Sequence, residues 1–146
     1  MDWDFEKIDV HELLPQQEPF VMIDQLVQCD RATTTTRFTV RESNLMVESD
    51  GRLNRCALAE NIAQTCAAQL GFVNKYILKR AIQLGFIGAI RNMAITRTPR
   101  VGQTLTTTIN VRDEIMGLTL VDATIEMEGE TIVTSEMKIA VSEATI

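Results

Sequence analysis

Residues 54–71 read NRCALAENIAQTCAAQLG, and this stretch decides the fold. It is rich in alanine, it carries little charge, and Asn54 is a favourable N-cap for a helix. Gly71 is a common type of residue at a helix C-terminus. We therefore predict a helix over residues 56–70. Because it is apolar nearly all round, we expect it to be buried, with small side chains that let a sheet approach closely.

Two β-prone segments precede this helix. Residues 20–28 are apolar, and residues 33–40 contain four consecutive threonines followed by Phe38 and Val40. Such residues favour strands, and residues 29–32 (CDRA) between them are predicted to form the turn of an antiparallel pair. Further upstream, residues 8–14 predict a short helical turn.

A series of strands follows the helix, after residues 72–81, which either continue the helix or form a second short one. The predicted strands are residues 82–96 (bent at Gly85 and Gly88), 104–113, 118–128 and 131–141. Residues 114–117 and 128–130 predict the tight turns between the last three. The element order indicates an α+β fold of one domain, residues 1–146, in which an antiparallel sheet wraps around one long central helix. An exposed edge strand of this sheet would favour pairing into a dimer.

The net charge and the distribution of apolar residues argue against several classes of protein. The net charge of −6 argues against nucleic-acid binding, and no apolar run is long enough to span a bilayer. The N-terminal residues MDWDFEKIDV lack the basic-then-apolar pattern of a signal peptide, so we expect a cytoplasmic protein.

Cysteine and histidine are scarce. The chain has an odd number of cysteines, and no two of them form a CxxC pair: Cys29, Cys56 and Cys66. The single histidine is His11. We therefore expect buried free thiols rather than disulfides, no metal site and no bound cofactor. His11 lies on the short helical turn, where a solvent-facing position is expected.

Charge is distributed unevenly along the chain. No acidic residue occurs between Glu60 and Asp113, whereas seven basic residues do: Lys75, Lys79, Arg80, Arg91, Arg97, Arg100 and Arg112. This basic stretch either docks an acidic partner or a phosphate, or forms an ordinary solvated face balanced by acids elsewhere in the fold. Both interpretations stay open.

Glu60 stands out because it is a carboxylate in the second turn of an apolar helix. A carboxyl group there is costly unless it is hydrogen-bonded or protonated, and the protonated form is the one that a general acid requires. Gln64 is four residues further along and shares the same helix face, so it can hold the carboxyl group. The alternative is a structural carboxylate that bonds a neighbouring backbone.

Two motifs resemble the 3-hydroxyacyl-ACP dehydratases of fatty acid synthesis. Residues 14–20, LPQQEPF, are similar to the Leu-Pro-His-x-x-Pro-Phe segment that opens the first strand in that family. Residues 60–64, ENIAQ, are similar to its Glu-Ala-x-Ala-Gln segment on the central helix. The two motifs occur in the family's order, and the resemblance covers roughly residues 8–141.

The resemblance implies a hotdog fold and a candidate site. Glu60 and Gln16 would be the catalytic pair, and Gln16 stands where the family has its catalytic histidine. Because an amide cannot take up a proton near neutral pH, Gln16 would either hydrogen-bond the substrate or a water, or be the remnant of a lost activity. Gln64 would help to bind the substrate. Asn54 and Arg55 replace a Pro-Gly pair whose backbone amides face the thioester carbonyl, and because helix N-termini suit that task, the two residues are expected to bind the substrate there. The positions that would line the acyl tunnel, or are simply core, are Phe20, Phe86, Ile87 and Gly88.

Three functions follow as hypotheses. The first is a dehydratase (a lyase) acting on 3-hydroxyacyl thioesters of acyl carrier protein or CoA, in fatty acid, polyene or related synthesis. Its assembly would be a homodimer, a larger homo-oligomer, or a heterodimer with a histidine-bearing homologue that supplies the missing base. The second is a non-catalytic subunit that binds acyl chains or stabilises such a homologue. The third is a thioesterase in which Glu60 activates water.

Overall fold

The computed structural model describes residues 3–81 and 83–145. For residues 142–145 it describes the backbone only. Its one long helix is α1, Arg55–Phe72, and a further turn of wider π-type helix follows at Val73–Ile77. Short 3-10 turns occupy Phe5–Lys7 and Val10–Glu12. The strands are β1 (Gln25–Cys29), β2 (Thr33–Thr39), β3 (Gln83–Ile95), β4 (Thr104–Ile115), β5 (Leu118–Met127) and β6 (Glu130–Thr145).

The strands form one antiparallel sheet in the order β1-β2-β4-β5-β6-β3, so that β1 and β3 are its edges. The sheet packs one face against α1, and the main core includes Leu58 and Ile62 of the helix together with Ile109 and Ile125 of the sheet. A second cluster joins the N-terminal segment to the last turns of α1 through Leu13 and Phe72. The predicted α+β architecture is confirmed.

The helix begins where the sequence predicts but ends later. The Asn54 side chain accepts a hydrogen bond of 2.8 Å from the Cys56 amide, which confirms the N-cap. The predicted stop at Gly71 is wrong, because Gly71 lies inside α1 with the backbone of Leu13 against it. A β-carbon at Gly71 would lie 2.2 Å from the Leu13 carbonyl oxygen. This glycine serves close packing rather than termination.

Replacing Asn54 by alanine should lower the free energy of unfolding by about 1 kcal/mol, because the first turn of α1 loses its side-chain acceptor. Chemical denaturation of the two proteins measures the difference. Asn54→Ser is the matched control, because a serine hydroxyl also accepts this bond and should restore most of the loss. Equal losses in both variants would contradict a capping role.

Strand boundaries differ from the prediction in several places: β1 begins later, β4 includes Glu114 and Ile115 of the predicted turn, and β6 extends to Thr145. The chain becomes a strand only at Gln25, because residues 17–20 form a turn closed by the Phe20 amide on the Gln17 carbonyl, 2.9 Å away, and because the backbone of Met22 bonds to side chains of α1 instead of a neighbouring strand. Strand β3 shifts register between Gln83 and Gly85 and between Ile87 and Ala89, which fits the predicted bends at Gly85 and Gly88. Its predicted first residue, Ile82, lies outside the described residues.

No helix in the described part of the chain is both long and apolar enough to cross a membrane.

Candidate functional site

A cavity of about 710 Å³ lies between one face of α1 and the sheet. The helix contributes Glu60, Ala63, Ala67 and Leu70, which share a face because their spacings of three and four follow the helical repeat. Alanine at two of these positions leaves the space open. The strand residues that line it are Gly85, Phe86, Ile87, Val111, Arg112, Asp113, Glu114, Thr119, Val121, Ile139 and Val141.

Glu60 lies half-buried on the cavity wall, and one of its carboxylate oxygens is held in place. The Gln64 side-chain nitrogen donates to Glu60 Oε1 over 2.9 Å and to the Phe20 carbonyl over 2.8 Å. The Gln64 oxygen accepts from the Met22 amide at 2.6 Å. Every polar group of this buried amide is therefore used, and its orientation is fixed. Among the described residues, Glu60 Oε2 has no hydrogen-bond partner.

Gln16 lines the same cavity as Glu60. Its Oε1 atom is buried and has no hydrogen-bond partner among the described residues. A buried acceptor without a partner costs on the order of 1–3 kcal/mol, so such atoms are rare unless a water or a ligand group satisfies them. The Gln16 oxygen is thus available to accept a hydrogen bond from a molecule in the cavity.

The other predicted site residues divide into two groups. Phe86 and Ile87 line the cavity from edge strand β3. Gly88, Asn54 and Arg55 do not line it, and Gly85 takes the place expected for Gly88. Phe20 is 57% exposed and contributes its carbonyl to Gln64 rather than its ring to the cavity wall.

Asn61 is a residue whose role the sequence did not indicate. It is buried beside Glu60, donates to the Met22 carbonyl at 2.7 Å and accepts from the Thr107 hydroxyl at 2.5 Å. With Gln64 it fixes both backbone groups of Met22, which ties the segment after Gln16 to the helix that carries Glu60. The available signal was an amide inside an apolar helix, which requires partners when it is buried.

The far end of the cavity, beside the last turns of α1, is polar. Asn74 is fully buried there, and its oxygen accepts from Arg80 Nε at 2.6 Å. Arg80 lines the cavity together with Asn74, and Arg31, Arg112 and Asp113 also contribute to its wall. The cavity therefore joins a carboxyl–amide end at Glu60 and Gln16 to a guanidinium-containing end through an apolar middle.

The basic stretch is partly neutralised by acids from elsewhere in the fold. Lys75 pairs with Glu12 at 2.8 Å, and Arg97 pairs with Glu130 at 3.2 Å. Arg112 pairs with Asp122 and with Glu136. The remaining members, Lys79, Arg80, Arg91 and Arg100, form no ion pair within the described residues. The interpretation as a solvated face balanced by acids thus holds for Lys75, Arg97 and Arg112, while docking of an acidic partner or a phosphate stays a prediction.

The thiols differ from the expectation at one position. Cys29 and Cys66 are buried and free, but Cys56 is exposed because it faces outward from the first turn of α1, so the prediction of three buried thiols is wrong for Cys56. Cys66 lines the cavity, and burial raises its pKa to about 12. Since the thiolate is the nucleophilic form, Cys66 is not suited to attack a thioester near neutral pH.

A sheet wrapped around a central helix, with a cavity between the two, defines a hotdog-fold protein, and comparisons with known structures agree. The chain is similar to a chain in the dehydratase heterocomplex ApeI:P from Xenorhabdus doucetiae, at 20% identity over 93% of this chain and 92% of that one, with a TM-score of 0.87. It is also similar to a hypothetical thioesterase from Streptococcus pneumoniae with coenzyme A (10% identity, 83% and 87% covered, TM-score 0.64). PaaI of Escherichia coli matches at 16% identity over 79% and 80% of the chains, with a TM-score of 0.62.

A comparison with protein-family models gives a more specific classification than the fold does. The ApeP-like family model, described as ApeP dehydratase, matches residues 8–145, and the chain belongs to this family. The inferred resemblance to hotdog dehydratases is thereby confirmed. No curated protein sequence matches the chain.

Proposed function

We propose that this protein takes part in the dehydration of 3-hydroxyacyl thioesters and that Glu60 and Gln16 act on the 3-hydroxyl group. The observation that carries the proposal is that Gln64 holds Glu60 on the wall of a cavity that Gln16 also lines with an unpartnered buried oxygen. An acyl chain fits the apolar middle of this cavity, and a hydroxyl group satisfies a carboxyl donor and an amide acceptor together.

Each residue has a defined part in the reaction. The protonated Glu60 carboxyl donates its proton to the 3-hydroxyl, which leaves as water when the C3–O bond breaks. The hydroxyl's own hydrogen is held by Gln16 Oε1, which orients the leaving group. Gln64 donates a hydrogen bond to Glu60 Oε1, and the transferred proton is therefore carried by the other oxygen, Oε2. The electrons of the C2–H bond form the C2=C3 double bond, and the C2 proton must pass to a base.

That base does not come from Gln16, because an amide cannot accept a proton near neutral pH. We propose that a second, related hotdog subunit supplies it as a histidine. Edge strand β3 supports this assembly, because Phe86 is 55% exposed and Ile90 is 42% exposed at an unpaired edge beside the cavity. The similar ApeI:P structure is itself a heterocomplex. Pairing two copies of this chain would cover the same edge without adding a histidine at the Gln16 position.

The thioester carrier is proposed to be acyl carrier protein, with coenzyme A as the alternative. A carrier with an acidic surface would meet the arginines of the basic stretch that the fold leaves without a carboxylate, Arg91 and Arg100 among them. Such contacts act mainly on the rate of encounter and weaken with salt.

A second candidate function is a non-catalytic subunit that stabilises a histidine-bearing partner, and Gln16 itself is the observation that favours it. A paired subunit can retain the cavity while the partner's site performs the reaction. Loss of Glu60 would then leave the rate of the complex unchanged.

Mass spectrometry of a carrier-bound 3-hydroxyacyl group tests the proposal. The protein is assayed alone and co-expressed with a hotdog protein that keeps the histidine. We expect the complex to remove one water while the thioester stays intact, and the chain alone to remove far less. Release of free thiol would indicate a thioesterase, and an unreacted substrate with a stable complex would contradict the dehydratase proposal.

A further inference from the structure

The single histidine lies between two carboxylates. His11 Nδ1 is 2.7 Å from Asp9 Oδ1, and His11 Nε2 is 3.0 Å from Glu18 Oε1. Ionised carboxylates only accept hydrogen bonds, so both ring nitrogens must donate, and only the doubly protonated imidazolium can do this. The geometry therefore specifies a charged ring at an exposed position, where the sequence placed it.

Glu18 belongs to the turn that precedes β1. The turn spans residues 17–20 and is closed by the Phe20 amide on the Gln17 carbonyl. On its inner side, Gln64 binds the Phe20 carbonyl at 2.8 Å. On its outer side, His11 binds Glu18. The turn is thus anchored from both sides, and Gln16, whose oxygen is buried at the cavity, comes directly before it.

We propose that His11 is a positioning residue for the cavity: by bridging Asp9 and Glu18, it holds the turn that presents Gln16. The inference rests on the proposed function, because it assigns His11 a part in placing Gln16 against the substrate. The bridge joins the 3-10 turn Val10–Glu12 to the turn at residues 17–20 across the exposed side of the N-terminal segment. The other charged pair at this place is Lys75–Glu12, in which Glu12 points to Lys75 rather than to the ring.

The bridge gives the turn a pH dependence with a definite sign. The hydrogen bond that His11 donates to Glu18, and then the one that it donates to Asp9, raises the pKa of His11 above its ordinary value of 6.5. The stability that protonated His11 contributes to the turn is complete below pH 6.5, and it is lost as the pH rises through the raised pKa of His11. The His11 hydrogen bonds lower the pKa of Asp9 below 3.8, so its contribution is complete above pH 3.8 and is lost as the pH falls through the lowered value.

An NMR titration of the full chain without substrate tests the proposal. Because the chain has one histidine, one set of imidazole resonances reports His11. We expect a midpoint above the ordinary histidine value, and we expect the protection factor of the Phe20 amide, which closes the turn on the Gln17 carbonyl, to fall several-fold at that same pH. In Glu18→Gln the midpoint should move down and the pH step in protection should disappear.

Glu12→Gln is the matched control, since it removes a neighbouring carboxylate that binds Lys75 instead of His11, and it should keep the pH step. A step that persists in Glu18→Gln, or protection that does not follow the His11 titration in the parent, would overturn the proposal. In the dehydration assay, KM should rise through the same midpoint in the parent and lose this rise in Glu18→Gln. Because the titration needs no substrate, its failure would count against the His11 bridge alone, whereas failure of the dehydration assay would count against the proposed function.

Discussion

Replacing Glu60 by glutamine should lower the rate of water loss from a 3-hydroxyacyl thioester by about 10²–10⁴-fold, the usual contribution of a positioned general acid. Glutamine keeps the shape of the side chain and an oxygen that accepts from Gln64, but it has no acidic proton for the leaving hydroxyl. The measurement is the initial rate in the complex with the histidine-bearing partner. The fold should be unchanged, so thermal unfolding of parent and variant should coincide within a few degrees.

Glu126→Gln is the matched control for that experiment. Glu126 is exposed on β5 and does not line the cavity, so the variant makes the same chemical change far from the site. It should retain the parent rate. An equal rate in Glu60→Gln would remove Glu60 from the mechanism and favour the non-catalytic subunit.

Gly71→Ala should have the largest effect on stability. The new β-carbon would lie 2.2 Å from the Leu13 carbonyl oxygen and 2.9 Å from its carbon, and both are backbone atoms that cannot rotate away. We expect a loss of about 3 kcal/mol in the free energy of unfolding, at the upper end for overpacked sites. For a chain of this size the melting temperature should fall by roughly 6–12 °C.

Gly88→Ala provides the comparison, because its β-carbon would meet the Lys138 carbonyl oxygen at an ordinary 3.5 Å. The melting temperature of this variant should stay close to that of the parent. If the two glycine variants melted at the same temperature, the close approach of Leu13 to α1 would not be a determinant of stability. Differential scanning calorimetry measures both.

Local sequence signals predicted the elements whose causes are local. Asn54 marks the start of α1, because capping involves only the next two residues. The turn at Glu128 and Gly129, where both residues have positive φ, was likewise evident from the sequence. The prediction that Gly71 ends the helix was wrong because the role of this glycine depends on Leu13, which is far away in the chain. The late start of β1 was missed because Met22 bonds to helix side chains instead of a neighbouring strand.

The candidate site was predicted by resemblance more than by pattern. The LPQQEPF and ENIAQ motifs selected Gln16 and Glu60, and the structure brings both to one cavity. Nothing in the spacing of residues indicated that Asn61 would fix Met22, because that role requires the folded sheet. The basic stretch was visible in the sequence, but its partners were not, since Glu12 and Glu130 reach Lys75 and Arg97 only after folding.

The most direct test of the account is a crystal structure of the partnered protein with a non-reactive pantetheine analogue that carries a 3-hydroxyacyl group. We predict that the 3-hydroxyl lies within about 3 Å of both the Glu60 carboxyl and Gln16 Oε1, the reach of a catalytic hydrogen bond. The acyl chain should extend along Ala63 and Ala67. An acyl group bound elsewhere, with the Gln16 oxygen still unpartnered, would contradict the account.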